Sequence, residues 1–281
     1  MNRKNSLVAL FVSTVLLACS SNTGNNESSK EEESSLVKEP DLVSRELTYS
    51  TDSTVMNGYI AYDQNREGKR PGVLVIHEWW GHNEYTRQRA DMLAKLGYVA
   101  LAVDMYGDGK VADHPEDAQK FMMSVMSNIE KGEARFKKAL EELKSNEWVD
   151  TEKIGVIGYC FGGSVALTMA NAGVDIDAVV AFHSGVQLPI MPQQGIKAKV
   201  LVCNGAADPF ISAESVQTYK AKMDSVGADY QYIAYEGAKH AFTNKGADSL
   251  GTKFELPLAY NEKADLQSWY EMQVLFAKAF E

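Results

Sequence analysis

The stretch Lys153-Ile154-Gly155-Val156-Ile157-Gly158-Tyr159-Cys160-Phe161-Gly162-Gly163 decides the fold. Residues 153–158 form a short apolar run and read as a buried strand. Residues 161–172 follow with Val165, Ala166 and Met169 on one side, and Gly173 is placed to end that helix. The join between them has the form Gly-x-Cys-x-Gly-Gly. A strand that turns into a helix this sharply forces strained dihedrals on the central residue, and small neighbours at Gly158 and Gly162 relieve the crowding. The turn would lift the Cys160 side chain over the carboxyl edge of a sheet. It would also leave the backbone N–H of Phe161 at a helix start, free to donate to an anion. A glycine-rich strand-to-helix turn also occurs in nucleotide folds, and a packing turn with a buried Cys fits these residues equally well.

Outward from this turn the two hydrophobic periods alternate. Residues 46–50 and 55–62 read as strands of an edge hairpin. Pro71 opens the continuous apolar run 72–77, typical of a strand buried on both faces. A helix begins near Asn83 and ends at Gly97, and residues 99–103 form the next strand. Residues 114–145 read as two helices with Gly132 near the break. Strands are expected at 177–182, 199–204 and 229–235, with helices at 211–226 and 261–280. This βαβ alternation specifies an α/β fold with a mostly parallel central sheet flanked by helices on both faces.

Two residues downstream complete a catalytic pattern. Asp208 follows the strand 199–204, and His240 follows the strand 229–235. Separately they read as a turn residue and a surface-loop histidine. Together with Cys160 they give the order nucleophile, acid, histidine, each just past a strand end, which is the order used on the α/β-hydrolase fold. His240 would take the Cys160 proton, and Asp208 would hold the imidazole in the required tautomer. The thiolate would attack a carbonyl carbon, and water would resolve the thioester.

Across about 45–280 the chain resembles the dienelactone hydrolase (carboxymethylenebutenolidase-like) family. The resemblance rests on His77-Glu78-Trp79-Trp80-Gly81, Asp104-Met105-Tyr106, the turn around Cys160, Asp208 and His240-Ala241-Phe242. It implies an α/β-hydrolase domain over 45–281 acting on a small carboxylic ester or lactone. It implies that Glu78 contacts the resting thiol and swings away when substrate binds, and that the N–H of Trp79 is the second oxyanion donor beside that of Phe161. Trp80, Tyr106 and Phe242 are expected to line the pocket. Dienelactone-cleaving members hold the substrate carboxylate with two arginines. This chain has Gly107-Asp108-Gly109 and Thr243-Asn244-Lys245 at those places. Bidentate carboxylate recognition depends on guanidinium geometry, so dienelactone itself is not the expected substrate.

Composition and the N-terminus bound the rest. A net charge of −10 disfavours nucleic acid, which needs clustered Lys and Arg. Arg3 and Lys4 precede the apolar run 7–17, too short to span a bilayer, and Leu16-Leu17-Ala18-Cys19 resembles a bacterial lipobox. The expectation is a signal peptide over 1–18, lipid on Cys19 as the membrane contact, and a flexible tether over 19–44. The chain would then sit in a bacterial cell envelope, and Ser20 in place of Asp points to the outer membrane. Cys203 lies in an apolar run and reads as a buried strand residue, not half of a redox pair with Cys160. His77 and His82 imitate a zinc-protease motif but lie five residues apart, about 140° around a helix, so neither a metal nor another cofactor is expected. The rival reading is a ligand-binding protein without turnover, with Trp79, Trp80 and Tyr106 around a sugar or aromatic ligand.

Overall fold

The computed structural model describes residues 39–51 and 53–281. The expected signal peptide, Cys19 and most of the tether lie outside the described residues. The elements run β1 (Leu42–Thr51), β2 (Thr54–Asp63), β3 (Arg70–Ile76), α1 (Glu84–Lys95), β4 (Val99–Val103), α2 (Pro115–Met126), α3 (Ile129–Lys144) and β5 (Val149–Tyr159). They continue α4 (Phe161–Asn171), β6 (Ala178–Phe182), β7 (Lys199–Gly205), α5 (Ala213–Ser225), β8 (Tyr230–Tyr235), α6 (Ala247–Phe254) and α7 (Glu262–Ala279). The strands form one eight-stranded sheet in the order β1-β2-β4-β3-β5-β6-β7-β8. β1 and β2 make the expected edge hairpin, β2 is antiparallel to β4, and β3 to β8 are parallel. This is an α/β-hydrolase-like fold.

The period-2 alternation of the buried strands feeds two apolar clusters, one on each face. Leu74 and Ile76 of β3, Val156 of β5 and Val200 and Val202 of β7 pack with Phe136, Leu143, Val165 and Tyr219 from α3, α4 and α5. Val73, Val75, Ile157, Leu201 and Cys203 face the other way, onto Leu93 of α1 and Met272 and Phe276 of α7. Continuous apolar strands are therefore needed, because both faces are covered. Gly155 admits α7 closely, since a Cβ there would lie 2.9 Å from the Phe276 ring. Cys203 is fully buried, as its apolar run predicts.

Several features depart from the sequence reading, among them the start of β5 at Val149. β1 starts at Leu42, inside the stretch assigned to the tether, because β2 is long enough to pair with it from Asp63 back to Thr54. The α2–α3 break falls at Ser127-Asn128, where the Asn128 side chain accepts the N–H of Lys131. Gly132 instead lies inside α3, where its missing side chain lets Val125 pack close. The eight-residue α6 had no sequence signal, being too short for a periodic pattern and holding Gly251. Among the described residues no helix is long and apolar enough to cross a membrane.

Topology places the chemistry. From β3 the chain passes through α1 to β4 on one side, then returns through α2 and α3 to β5 on the other. A crevice opens above the carboxyl ends of strands where the order reverses in this way. Ile76 is in register with Gly158 and with Val103. Residues 77–79, 104–106 and 159–161 therefore leave the sheet side by side.

Candidate active site

Cys160 stands at the point of the turn with φ 53° and ψ −114°, a left-handed conformation costly for any residue with a Cβ. Its N–H donates to the Phe182 carbonyl at 2.9 Å, which ties the turn to β6. A side chain on Gly158 would strike the backbone of Gly162, and one on Gly162 would strike the carbonyls of Ile76 and His77. The glycines are thus required by close backbone approach, which holds the strained thiol-bearing residue half-exposed above the sheet. The N–H of Phe161 opens α4 and has no acceptor within the helix.

Asp208 lies three residues past β7 and His240 five past β8. His240 Nδ1 donates to Asp208 Oδ2 at 2.7 Å, and both residues are buried. The second carboxylate oxygen, Oδ1, accepts the N–H of Phe210 at 2.9 Å. Burial alone would lower the His240 pKa. The Cys160 sulfur beside the ring and the Asp208 carboxylate outweigh it and push the imidazole up to about 10. Asp208 and His240 therefore pair at the sheet edge on which the Cys160 turn stands.

Glu78 is buried, and its Oε2 accepts from Asn244 Nδ2 at 2.7 Å. One oxygen of this carboxylate is thus engaged by Asn244. Asn244 belongs to the stretch Thr243-Asn244-Lys245, where the resemblance would place an arginine. A neutral amide cannot offset a buried charge, so burial raises the Glu78 carboxyl pKa despite Asn244 and the more distant His240 and Arg89. A carboxyl raised on folding stabilises the folded state only while protonated. That stability is lost as pH climbs from the unfolded value through the folded one. Glu78→Gln keeps an acceptor for Asn244 and removes the charge. It is expected to stabilise the protein by roughly 1 kcal/mol at pH 8, with the gain disappearing near pH 4. Thermal unfolding across that range checks this, and a gain independent of pH would contradict it.

The loop that carries His240 is held from beneath. Thr243 Oγ1 lies 2.6 Å from the Tyr85 hydroxyl and 2.8 Å from His183 Nε2. Arg89 donates to the Thr243 carbonyl at 2.6 Å and to Asp265 at 2.7 Å, with its guanidinium near the rings of Tyr85, Tyr159 and Trp269. Burial holds His183 neutral, and its ring meets that of His240 edge-on at 5.3 Å. Phe210 packs edge-on to the His240 ring at 5.1 Å while remaining 55% exposed. None of Asn244, Thr243, His183, Arg89 and Phe210 carries a local motif. Only Thr243 and Asn244, in the stretch a few residues past His240, drew notice in the sequence.

The other expected residues are placed as follows. Trp79 is half-buried on the turn after β3, and its carbonyl accepts the Tyr106 hydroxyl at 2.9 Å. Tyr106 is buried behind His77 and Phe161, and Trp80 stacks on Phe254 in a small apolar cluster. Phe242 does not line a pocket: it is fully buried between Tyr235 and His183, because its loop turns inward after Ala241 at φ 59°. Asp104 organises the neighbouring loop through the N–H groups of Asn57, Tyr106, Gly107 and Gly109. Consecutive left-handed residues at Gly107, Asp108 and Gly109 build that loop, so a tight turn held by Asp104 occupies the place where an arginine would stand.

Comparison with known proteins agrees in extent with this domain. Residues 56–280 match the dienelactone hydrolase family. Protein usf of Aquifex pyrophilus is 33% identical over 204 residues, covering 71% of this chain and 87% of that protein. The solved structure m3DLH superposes with a TM-score of 0.81 at 36% identity, covering 85% of this chain and 99% of that one. A dienelactone hydrolase-like promiscuous phosphotriesterase, P91, from metagenomic libraries gives a TM-score of 0.78 at 32% identity. It covers 85% of this chain and 98% of its own.

Proposed function

Because this chain belongs to the dienelactone hydrolase family, a family of hydrolases, we propose that it cleaves a small carboxylic ester or lactone through Cys160, His240 and Asp208. The observation that carries this reading is the 2.7 Å Asp208–His240 contact, with the imidazole beside a thiol on a strained strand-to-helix turn. The thiol proton rests on His240, whose pKa is held up to about 10, and the sulfur attacks the carbonyl carbon. The oxyanion is received by the N–H groups of Phe161 and Trp79. The C–O bond breaks, the imidazolium returns its proton to the departing alkoxide, and a thioester remains. Water, deprotonated by the same imidazole, then attacks the thioester and releases the acid and the thiol.

The carboxylates Glu78 and Asp208 are both buried at the site, and the Arg89 guanidinium is engaged with Asp265 and the Thr243 carbonyl. Such a site favours an uncharged substrate over one bearing a carboxylate near the scissile bond. Rapid quenching of the protein during p-nitrophenyl acetate turnover should leave an acetyl group on the peptide bearing Cys160. Turnover with no acyl group on that peptide would remove the covalent mechanism. The N-terminal sequence supports a second proposal, attachment of lipid at Cys19. Cys19→Ser should then move the protein from the membrane fraction to the soluble one.

A further inference from the structure

We propose that His77 is a positioning residue that aims the Trp79 N–H at the oxyanion, an inference that rests on the hydrolase reading above. The zinc-like spacing of His77 and His82 leaves His77 without a role, yet it is fully buried between the nucleophile turn and the β4 loop. Its ring lies 4.6 Å from that of Tyr106 and 5.6 Å from that of Phe161, the residue after the thiol.

The hydrogen bonds fix its tautomer. The Met105 N–H can only donate, and it reaches His77 Nε2 at 3.2 Å. Nε2 therefore carries a lone pair, and the proton of the neutral ring sits on Nδ1. Nδ1 lies 2.5 Å from the Glu78 carbonyl oxygen, to which it donates. Burial lowers the His77 pKa to about 4, so the same tautomer persists through the neutral range.

The consequence lies one atom further along. The Glu78–Trp79 peptide is trans, so its carbonyl and its N–H point in opposite directions on one rigid plane. Holding the Glu78 carbonyl inward on His77 turns the Trp79 N–H outward. The Gly81 N–H reaches the same carbonyl at 3.2 Å, and the next plane is pinned where the Trp79 carbonyl accepts the Tyr106 hydroxyl. Among the described residues no backbone acceptor takes the Trp79 N–H. The register of Ile76 with Gly158 sets this plane beside the Cys160 turn. His77 thus orients a donor without touching substrate.

Two amide variants separate this role from simple core filling. His77→Asn keeps an N–H near the position of Nδ1, facing the Glu78 carbonyl. His77→Gln carries its amide toward Met105 and loses that donation. With p-nitrophenyl acetate, kcat for His77→Gln should fall roughly 30-fold with KM nearly unchanged, while His77→Asn stays within about threefold of wild type. Alkylation of Cys160 by iodoacetamide, which develops no oxyanion, should proceed at nearly the same rate in all three proteins. Equal kcat for the two variants, or a parallel fall in turnover and alkylation, would overturn the inference while leaving the hydrolase reading in place. No turnover by the wild type would remove both.

Discussion

Cys160→Ala is expected to lower kcat/KM for p-nitrophenyl acetate by about 10⁴-fold or more, and Asp208→Asn by about 10⁴-fold. The two effects have different origins. The first removes the atom that forms the thioester. The second leaves the geometry intact but offers His240 Nδ1 an amide where it now donates to a carboxylate at 2.7 Å. An amide can present its NH₂ to that nitrogen and select the other tautomer, whose Nε2 then carries the proton and cannot receive one from sulfur. Residues that act as a unit are not additive, so the double variant should fall little below Cys160→Ala alone. The imidazole supplies an independent check. Its pKa is held up largely by the Cys160 sulfur against the cost of burial, so Cys160→Ala should shift the His240 titration seen by NMR downward. Unchanged titration would mean that sulfur and ring do not interact.

Arg89→Met is expected to cost about 3 kcal/mol in urea unfolding and to reduce turnover as well. The guanidinium joins Asp265 of α7 to the carbonyl of Thr243 in the loop that carries His240. Its removal strands a buried carboxylate and frees a loop whose left-handed Ala241 has no intrinsic reason to hold that shape. Replacing both partners, as Arg89→Met with Asp265→Leu, removes the stranded charge and should recover part of the stability. Turnover should recover less, because Thr243 still lacks its donor. A single variant costing under about 1 kcal/mol would show that Arg89 is held by its three aromatic neighbours and not by the ion pair.

The parts of this protein that follow short-range rules were legible in the chain. Short apolar runs and the 3.6-residue period identified every strand among the described residues and the long helices, since each burial face is written within a dozen residues. The Gly-x-Cys-x-Gly-Gly turn announced the thiol because backbone crowding there excludes larger neighbours. The misses also have local causes. Gly132 resembles a helix break but is a packing contact, and α6 is shorter than the pattern needed to detect it. Phe242 resembled a pocket residue by proximity to His240, yet an inward turn at Ala241 sends it to the core.

The sequence by itself determined the strand order in time, the α/β layers and the three chain positions that can form a nucleophile, base and acid. Only the tertiary structure decided what surrounds them. Glu78 finds Asn244 across 166 residues, and Tyr85 finds Thr243 across 158. The direction of the Glu78–Trp79 peptide depends on a hydrogen bond from Met105, 28 residues beyond His77. The last of these follows from the register of β3 beside β4, and the other two from the loop after β8 folding back over the sheet edge. No periodicity encodes them, because a side chain's partner across the sheet is set by which strands adjoin and not by its own neighbours in the chain.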